Sequence, residues 1–514
     1  MKSIIKANYL IIHPILFALY LPLHLFAANL GYMRGGDVWW TLLVMLGWVV
    51  VSWSIWILIF RNIGKAAIAA STYTLLFWSY SQIYDFITRR TVRVILNSDS
   101  AAVAAQLISH RYVIGGLLVL MLGLFLYLLF SQRSFRRLTI TLNWISVIAF
   151  VMPALAALNF AWDRVVEQEV VLFQTKLPPL IKTPVNTGPD IYYLIFDRFA
   201  STAVASNYYN CDLSDLDAFL EHKGFCVLKQ SHCNYLGTAL SLSSSLNMQY
   251  WDDQILRLPS ALRGSIVMNA FQKNRVALFL RRRDYAYINI GDFWPPTSRN
   301  SLATININHC NPVKNDLLAS LLTQTMIFPY FIMHYQPRII KANLIEIKKS
   351  ALQPSPKFVF SHLLIPHDPY WFKADGTPMS RKDQAQLTAD QQYGQQLLFT
   401  KDQIKDVVDA ILRQSAQPPI IVLQSDEGPR VGPNYTPGHL PAGSQLPEDP
   451  RHIQGPILNA LYLPGFDYAQ LRPDMTPVNT FRLIFAHYFK AQLELLEDRP
   501  PLDYLPVFKQ TDEQ

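Results

Sequence analysis

Acidic side chains are almost missing from the first third of this 514-residue chain: of its 37 Asp and Glu residues, only Asp37, Asp85 and Asp99 precede Asp163. Cysteine is missing from the same stretch, since Cys211, Cys226, Cys233 and Cys310 all come later. Charged residues make up 16% of the chain and hydrophobic residues 51%. A soluble protein ordinarily carries about 25% charged residues, so this composition excludes a wholly soluble chain. Also lacking is a long basic stripe interleaved with aromatics. That excludes nucleic acid as the partner despite a formal net charge of +8, and a membrane accounts for the charge better.

Apolar runs stand at about residues 8–28, 39–60, 66–86, 113–131 and 138–160, each about as long as the ~20 residues a helix needs to cross a bilayer. The first contains Pro14 and Pro22, lacks a small-residue cleavage site and is followed by further runs, so it reads as an uncleaved span rather than a signal peptide. Lys2 and Lys6, then Arg61 and Lys65, then Arg133, Arg136 and Arg137 fall on one side if all five runs cross. The excess of positive charge assigns that side to the cytoplasm. Arg34, Arg89, Arg90, Arg93 and Arg111, with Asp85 and Asp99, occupy the other side. The expectation is a multi-pass protein of the inner membrane, with its N-terminus inside and its C-terminal part outside, in the periplasm. Few ionisable residues interrupt the runs, which fits an anchor rather than a transporter. Trp39, Trp40, Trp53, Trp56 and Trp78 read as interfacial or packing residues.

Three segments follow: an anchor over residues 1–162, a connector over 163–188 and an exterior domain over 189–514. Cysteines confined to an exterior domain fit disulfides, or equally free buried thiols. Within that domain, short β-branched runs alternate with amphipathic stretches, an α/β pattern. Asp190–Phe196, the run from Phe358, Ile420–Leu423 and Leu458–Leu463 read as buried strands, and Leu213–His222 and Lys401–Arg413 as helices. Polar groups stand just past the strands: Asp197, then His362 and His367, then Asp426 and Glu427. Ligands of open α/β sheets bind beyond the carboxyl ends of the strands. Asp197, Asp426 and Glu427 therefore read as hard oxygen ligands for one divalent cation. Thr238, entering a Ser-rich helical stretch after Asn234-Tyr235-Leu236-Gly237, would place a hydroxyl at a helix N-terminus suited to phosphate.

The joint order of DIYYLIFDRFAS (190–201), NYLGTALSLSSSLNM (234–248), FVFSHLLIPHD (358–368) and IIVLQSDEGP (420–429) resembles membrane sulfatase-like proteins of the alkaline phosphatase superfamily. Relatives of that kind include phosphoethanolamine transferases and lipoteichoic acid synthases. The resemblance spans roughly residues 189–490. It implies an α-helical transmembrane bundle of five spans, followed by an α/β alkaline-phosphatase/sulfatase-like domain with a central mixed, mostly parallel sheet. It also implies a metal-dependent transferase or hydrolase acting on phosphate esters, with a membrane lipid as donor and a lipid or glycan as acceptor. Carried onto this chain, Asp197 matches the first metal carboxylate, Thr238 the metal-bound nucleophile, Asp426 the acid of the later metal pair, and His367 a histidine that would bind the transferred group. The residues themselves add Glu427 as a further metal ligand and His362, His439 and Arg430 as substrate contacts.

Glu427 stands where the family pattern carries histidine. Three carboxylates around one ion favour Mg²⁺ or Mn²⁺ over Zn²⁺, and they repel a phosphate dianion unless Arg430 or Arg198 compensates. A noncatalytic binding module with the same fold is one alternative. Sulfate-ester hydrolysis, the other, calls for a C/S-x-P/A-x-R motif. The nearest match, Cys310-Asn311-Pro312-Val313-Lys314, ends in lysine and lies far from the threonine helix.

Overall fold

A computed structural model of the chain describes residues 9–96, 110–174, 188–251, 253–311, 313–430, 449 and 451–501. His439 and the prolines of the expected connector lie outside the described residues. The chain forms two compact units, one of Met1–Val166 with Val313–His334, the other of Glu167–Pro312 with Tyr335–Gln514.

The first unit is helical: His13–Ala28, Gly36–Phe60, Ile63–Trp78, Tyr80–Leu96, His110–Phe130 and Arg136–Gln174. Pro14 sits in the first turn of the first helix, where its missing N–H costs nothing. Asn62 caps the third by accepting the Lys65 N–H at 3.1 Å. Gly36–Phe60, His110–Phe130 and Arg136–Asn159 are long and apolar enough to cross a membrane. Leu43, Val50, Leu58, Val119, Leu122, Ile148 and Met152 face outward from them. Such apolar surface is tolerated only against lipid, so this is the anchor of a membrane protein.

The apolar run at 66–86 is not one helix. It breaks at Ser79, whose N–H still bonds Leu75 O at 3.0 Å, while the N–H of Ser81 turns away to Gln324 O at 3.0 Å. Hydropathy missed the break because no proline or glycine marks it; a distant carbonyl makes it.

The second unit is built on a seven-stranded sheet in the order β2-β7-β6-β1-β5-β3-β4. Its strands are β1 Ile191–Phe196, β2 Cys226–Val227, β3 Ala286–Ile290, β4 Ile305–Ile307, β5 Lys357–Leu363, β6 Ile420–Gln424 and β7 Asn459–Tyr462. The strands β6, β1, β5, β3 and β4 run parallel, and β7 and β2 complete one edge antiparallel. The sheet is thus mixed and mostly parallel. Every residue of β1, β5 and β6 is buried, which is why these segments carry consecutive apolar residues, such as Phe358-Val359-Phe360, rather than strict alternation. One face packs Tyr193 and Phe360 against Phe271, Phe279, Phe481 and Phe485. The helix read at Lys401–Arg413 starts earlier, at Ala389, where Thr388 and Gln391 form a capping box, and it ends at Gln414.

Register fixes where side chains leave the sheet. Ile195 pairs with His362 on β5 and with Gln424 on β6, so the three central strands end level. At their other end, buried Lys357 and Asp190 form an ion pair of 2.5 Å, and Asp190 also accepts the Lys357 backbone N–H at 3.0 Å.

Candidate functional site

Three strand ends supply three ionisable groups. Asp197 follows β1, His362 is the penultimate residue of β5, and Asp426 lies just past β6. All three are buried, and one ligand atom from each lies within 4.8 Å of the others. His362 Nε2 stands 3.3 Å from Asp197 Oδ2, and the backbone N–H of Arg198 donates to Asp426 Oδ1 at 3.3 Å. Arg198 holds a left-handed turn, φ 61°, and its carbonyl accepts the Tyr393 hydroxyl at 2.8 Å. That bond pins the loop that presents Asp197.

Burial pushes the Asp426 carboxyl above its usual range, and the charges of Asp197 and Glu427 push the same way. Burial would also raise Asp197, but the His362 hydrogen bond and the charges of His367, His362 and Arg198 bring it below its ordinary value. In His362 burial acts downward and is outweighed by the bond and charge from Asp197, with Asp426 and Asp292 adding to them, so its pKa is raised. The mutual repulsion of the buried Asp197 and Asp426 carboxylates is what a cation between them would relieve. Asp197 Oδ1 and Asp426 Oδ2 are buried atoms that accept no hydrogen bond among the described residues, although buried polar atoms are almost always paired. Two carboxylates and an imidazole converging on one point fit a divalent metal.

Thr238 opens the helix Thr238–Asn247, directly after Gly237 at φ 134°, a backbone angle that glycine adopts without strain. The helix start has no side-chain cap, so its N–H groups are free for an anion. The Thr238 side chain is close enough to Asp426 to favour that carboxylate. The hydroxyl, the helix start and the buried trio thus share one place.

The other expected residues distribute around it. Glu427 stands outside the trio: its Oε1 lies 3.2 Å from Arg430 Nη2 and 3.5 Å from Arg198 Nε. Its charge is already matched by two guanidinium groups. Burial nevertheless raises its pKa, against the pull of Arg430 and Arg198. His362, expected at the substrate, is the imidazole of the trio instead. His367 is partly exposed, with its Nδ1 3.5 Å from Asp368 Oδ1, and its charge is felt at both Asp197 and Glu427. Arg198 also pairs with Asp368.

Sequence reasoning missed Thr297, Trp294 and Asp292. Thr297 Oγ1 lies 3.1 Å from His362 Nδ1, the imidazole nitrogen turned away from Asp197. Trp294 meets the same ring edge-on at 5.5 Å. These residues follow β3, whose mixed Ala-Tyr-Ile-Asn-Ile sequence gave no clear strand signal. Cys310 donates to Asp292 Oδ1 at 3.0 Å; burial and that carboxylate push its thiol far above the usual range, the opposite of what a reactive thiol needs. All four cysteines are free thiols, so the disulfide alternative falls. Each has a separate setting, such as Asp292 for Cys310 and the Gln454 carbonyl for Cys233.

A family model described as Sulfatase matches residues 193–458. No curated protein matches the chain. Among solved structures, the integral membrane lipooligosaccharide phosphoethanolamine transferase A of Neisseria meningitidis is 13% identical; the match covers 93% of this chain and 96% of that one, with a TM-score of 0.40. The C-terminal periplasmic domain of an Escherichia coli EptC in complex with Zn is 13% identical, with coverage of 65% and 99% and a TM-score of 0.39. The corresponding domain of the phosphoethanolamine transferase EptC of Campylobacter jejuni is also 13% identical, with coverage of 62% and 95% and a TM-score of 0.38.

Proposed function

The chain belongs to the sulfatase family, and from that premise we propose a membrane-anchored, divalent-metal-dependent transferase or hydrolase of phosphate esters that works through Thr238. The lipid donor and the lipid or glycan acceptor meet it at the outer face of the inner membrane. The observation that carries this reading is the Thr238 hydroxyl at an uncapped helix start, beside Asp426 of the buried Asp197–His362–Asp426 trio.

A divalent cation held by the trio would supply positive charge to neutralise Asp197 and Asp426, and would favour the ionised form of a neighbouring hydroxyl. The residues do the rest. The first-turn N–H groups of Thr238–Asn247 receive the non-bridging oxygens of the phosphoryl group. His367, partly exposed at the rim, binds another oxygen and steadies the group as charge builds on it. Thr238 Oγ1 loses its proton and forms a bond to phosphorus while the bond to the donor's ester oxygen breaks, and that oxygen leaves as an alcohol with a proton. An acceptor hydroxyl or water then gives up its proton as it bonds to phosphorus, and Thr238 departs reprotonated. Arg198 and Arg430, paired with Glu427, offset the negative charge that would otherwise repel the substrate.

In this reading the helices His13–Ala28 and Ile63–Trp78 complete five crossings with the three longer ones. The basic residues Arg61, Lys65, Arg133, Arg136 and Arg137 face the cytoplasm, residues 163–188 connect, and the domain from residue 189 onward lies outside. The test is intact-peptide mass spectrometry of the purified chain after brief incubation with phospholipid vesicles. A phosphoryl-group adduct is expected on the peptide carrying Thr238, and both adduct and turnover should be lost in Thr238→Ala. Turnover at the wild-type rate in that variant would overturn the mechanism. A chain that binds no divalent ion and forms no adduct would be the noncatalytic module instead.

A further inference from the structure

Val313–His334 lies between two stretches of the sulfatase unit in sequence, yet packs with the membrane helices. Its helix Asp316–Leu322 is capped by Asn315, which accepts the Leu318 N–H at 2.7 Å. The helix start is tied to Gly36–Phe60 by polar bonds: the Asp316 N–H donates to Asp37 Oδ2 at 2.8 Å, Asn315 donates to the Asp37 carbonyl at 3.0 Å, and Arg34 pairs with Asp316 at 2.8 Å. Its apolar side is equally committed. Leu317 packs on Phe26 and Met33, Leu321 on Leu21 and Met45, and Met326 on Tyr80, Tyr84 and Val113. The Met326 N–H bonds the Phe77 carbonyl at 3.1 Å. Phe26 and Phe77 lie near the close of His13–Ala28 and Ile63–Trp78, and Asp37, Tyr80, Tyr84 and Val113 near the opening of Gly36–Phe60, Tyr80–Leu96 and His110–Phe130, while Leu21 and Met45 lie further along their helices.

Beyond Met326 the segment turns apolar side chains outward. Ile327 is 62% exposed, Tyr330 50% and Phe331 55%. Phe86 on Tyr80–Leu96 and Tyr112 on His110–Phe130, the helices whose Tyr84 and Val113 cluster with Met326, are also exposed. Exposed aromatic and aliphatic side chains in this number are costly in water. At the edge of a membrane they form the usual belt of Tyr, Phe and Trp.

We infer that Ile327, Tyr330 and Phe331 contact the phospholipid headgroup and upper acyl layer, so that residues 313–334, which interrupt the sulfatase unit in sequence, add a membrane contact to that of the spanning helices. The occupant is lipid. This rests on the anchor being in a membrane and not on the chemistry proposed for Thr238, so either can fail alone.

The test places a photoreactive benzoylphenylalanine at Tyr330, at Phe331, at Leu122 on a spanning helix and at Lys229 in the sulfatase unit, each in the full chain. The chain is reconstituted in phosphatidylethanolamine–phosphatidylglycerol vesicles, irradiated and weighed by mass spectrometry. Phospholipid adducts at 330 and 331 with a yield comparable to that at 122, and none at 229, are expected. Labelling at 122 with no lipid adduct at 330 or 331, or adducts there only to protein, would overturn the inference. Thermal unfolding curves matching the parent chain verify that each labelled variant is folded.

Discussion

Thr297 carries no charge and sits in no recognisable motif, yet it decides which imidazole nitrogen of His362 is free. Its Oγ1 is 3.1 Å from Nδ1 and in turn points at the Trp294 carbonyl, 3.5 Å away. With Nδ1–H donating to Thr297, Nε2 is the nitrogen left to offer its lone pair once a cation takes the place of its proton beside Asp197 and Asp426. Thr297→Val should weaken divalent-metal affinity by roughly 10- to 100-fold, the usual cost of losing such a partner, and Thr297→Ser should restore it; equilibrium dialysis reads both. His362→Ala should weaken metal binding far more than Glu427→Gln, because Glu427 is neutralised by Arg198 and Arg430 rather than facing the trio. Equal losses would return Glu427 to the ligand set. The raised pKa values of Asp426 and His362 also fix a sign. Both groups must shed protons to bind a cation, so metal affinity should fall as pH is lowered from neutrality, with protons released on binding. Calorimetry in buffers of different ionisation enthalpy measures that release. Asp197 and Asp426 were legible in the sequence because they stand at the ends of apolar strands, Asp197 directly after β1 and Asp426 two residues past β6. The place of His362 in the trio was not, because it depends on pairing Ile195 with His362 rather than on spacing along the chain.

At the scale of elements, the central strands were readable and the edges were not. β1, β5 and β6 are buried on both faces and therefore mostly apolar, whereas β2 has two residues and β4 three, with two of the β4 residues exposed. Too little apolar sequence is left there to mark a strand. The break at Ser79 was hidden for a related reason: its cause, the Gln324 carbonyl, lies far away in the chain. The Asp190–Lys357 pair joins the starts of β1 and β5. Removing one partner leaves a buried charge uncompensated, so Asp190→Ala should cost about 3–5 kcal/mol of stability. Chemical denaturation of the full chain should show a lower midpoint, and Asp190→Asn a smaller loss, because the amide oxygen still accepts from Lys357.

For the whole molecule, one chain builds an apolar helical unit and an α/β unit, a division already visible in where the acids and cysteines stop. What composition could not show is that the division is not a single cut, because Val313–His334 rejoins the first unit. A divalent ion that binds only the folded trio should raise the unfolding temperature of the second unit in proportion to the logarithm of free metal, and a chelator should reverse the rise. Scanning calorimetry with and without added Zn²⁺ or Mn²⁺ tests this, and no shift with any divalent ion would argue against a resident metal. There is also a practical corollary for anyone wishing to work with the catalytic half by itself. Trimming the chain at residue 188 strips Phe26, Met45 and Tyr80 from around Leu317, Leu321 and Met326, leaving a greasy hairpin with nothing to cover it. Such a fragment should clump during purification until residues 313–334 are exchanged for a short hydrophilic linker.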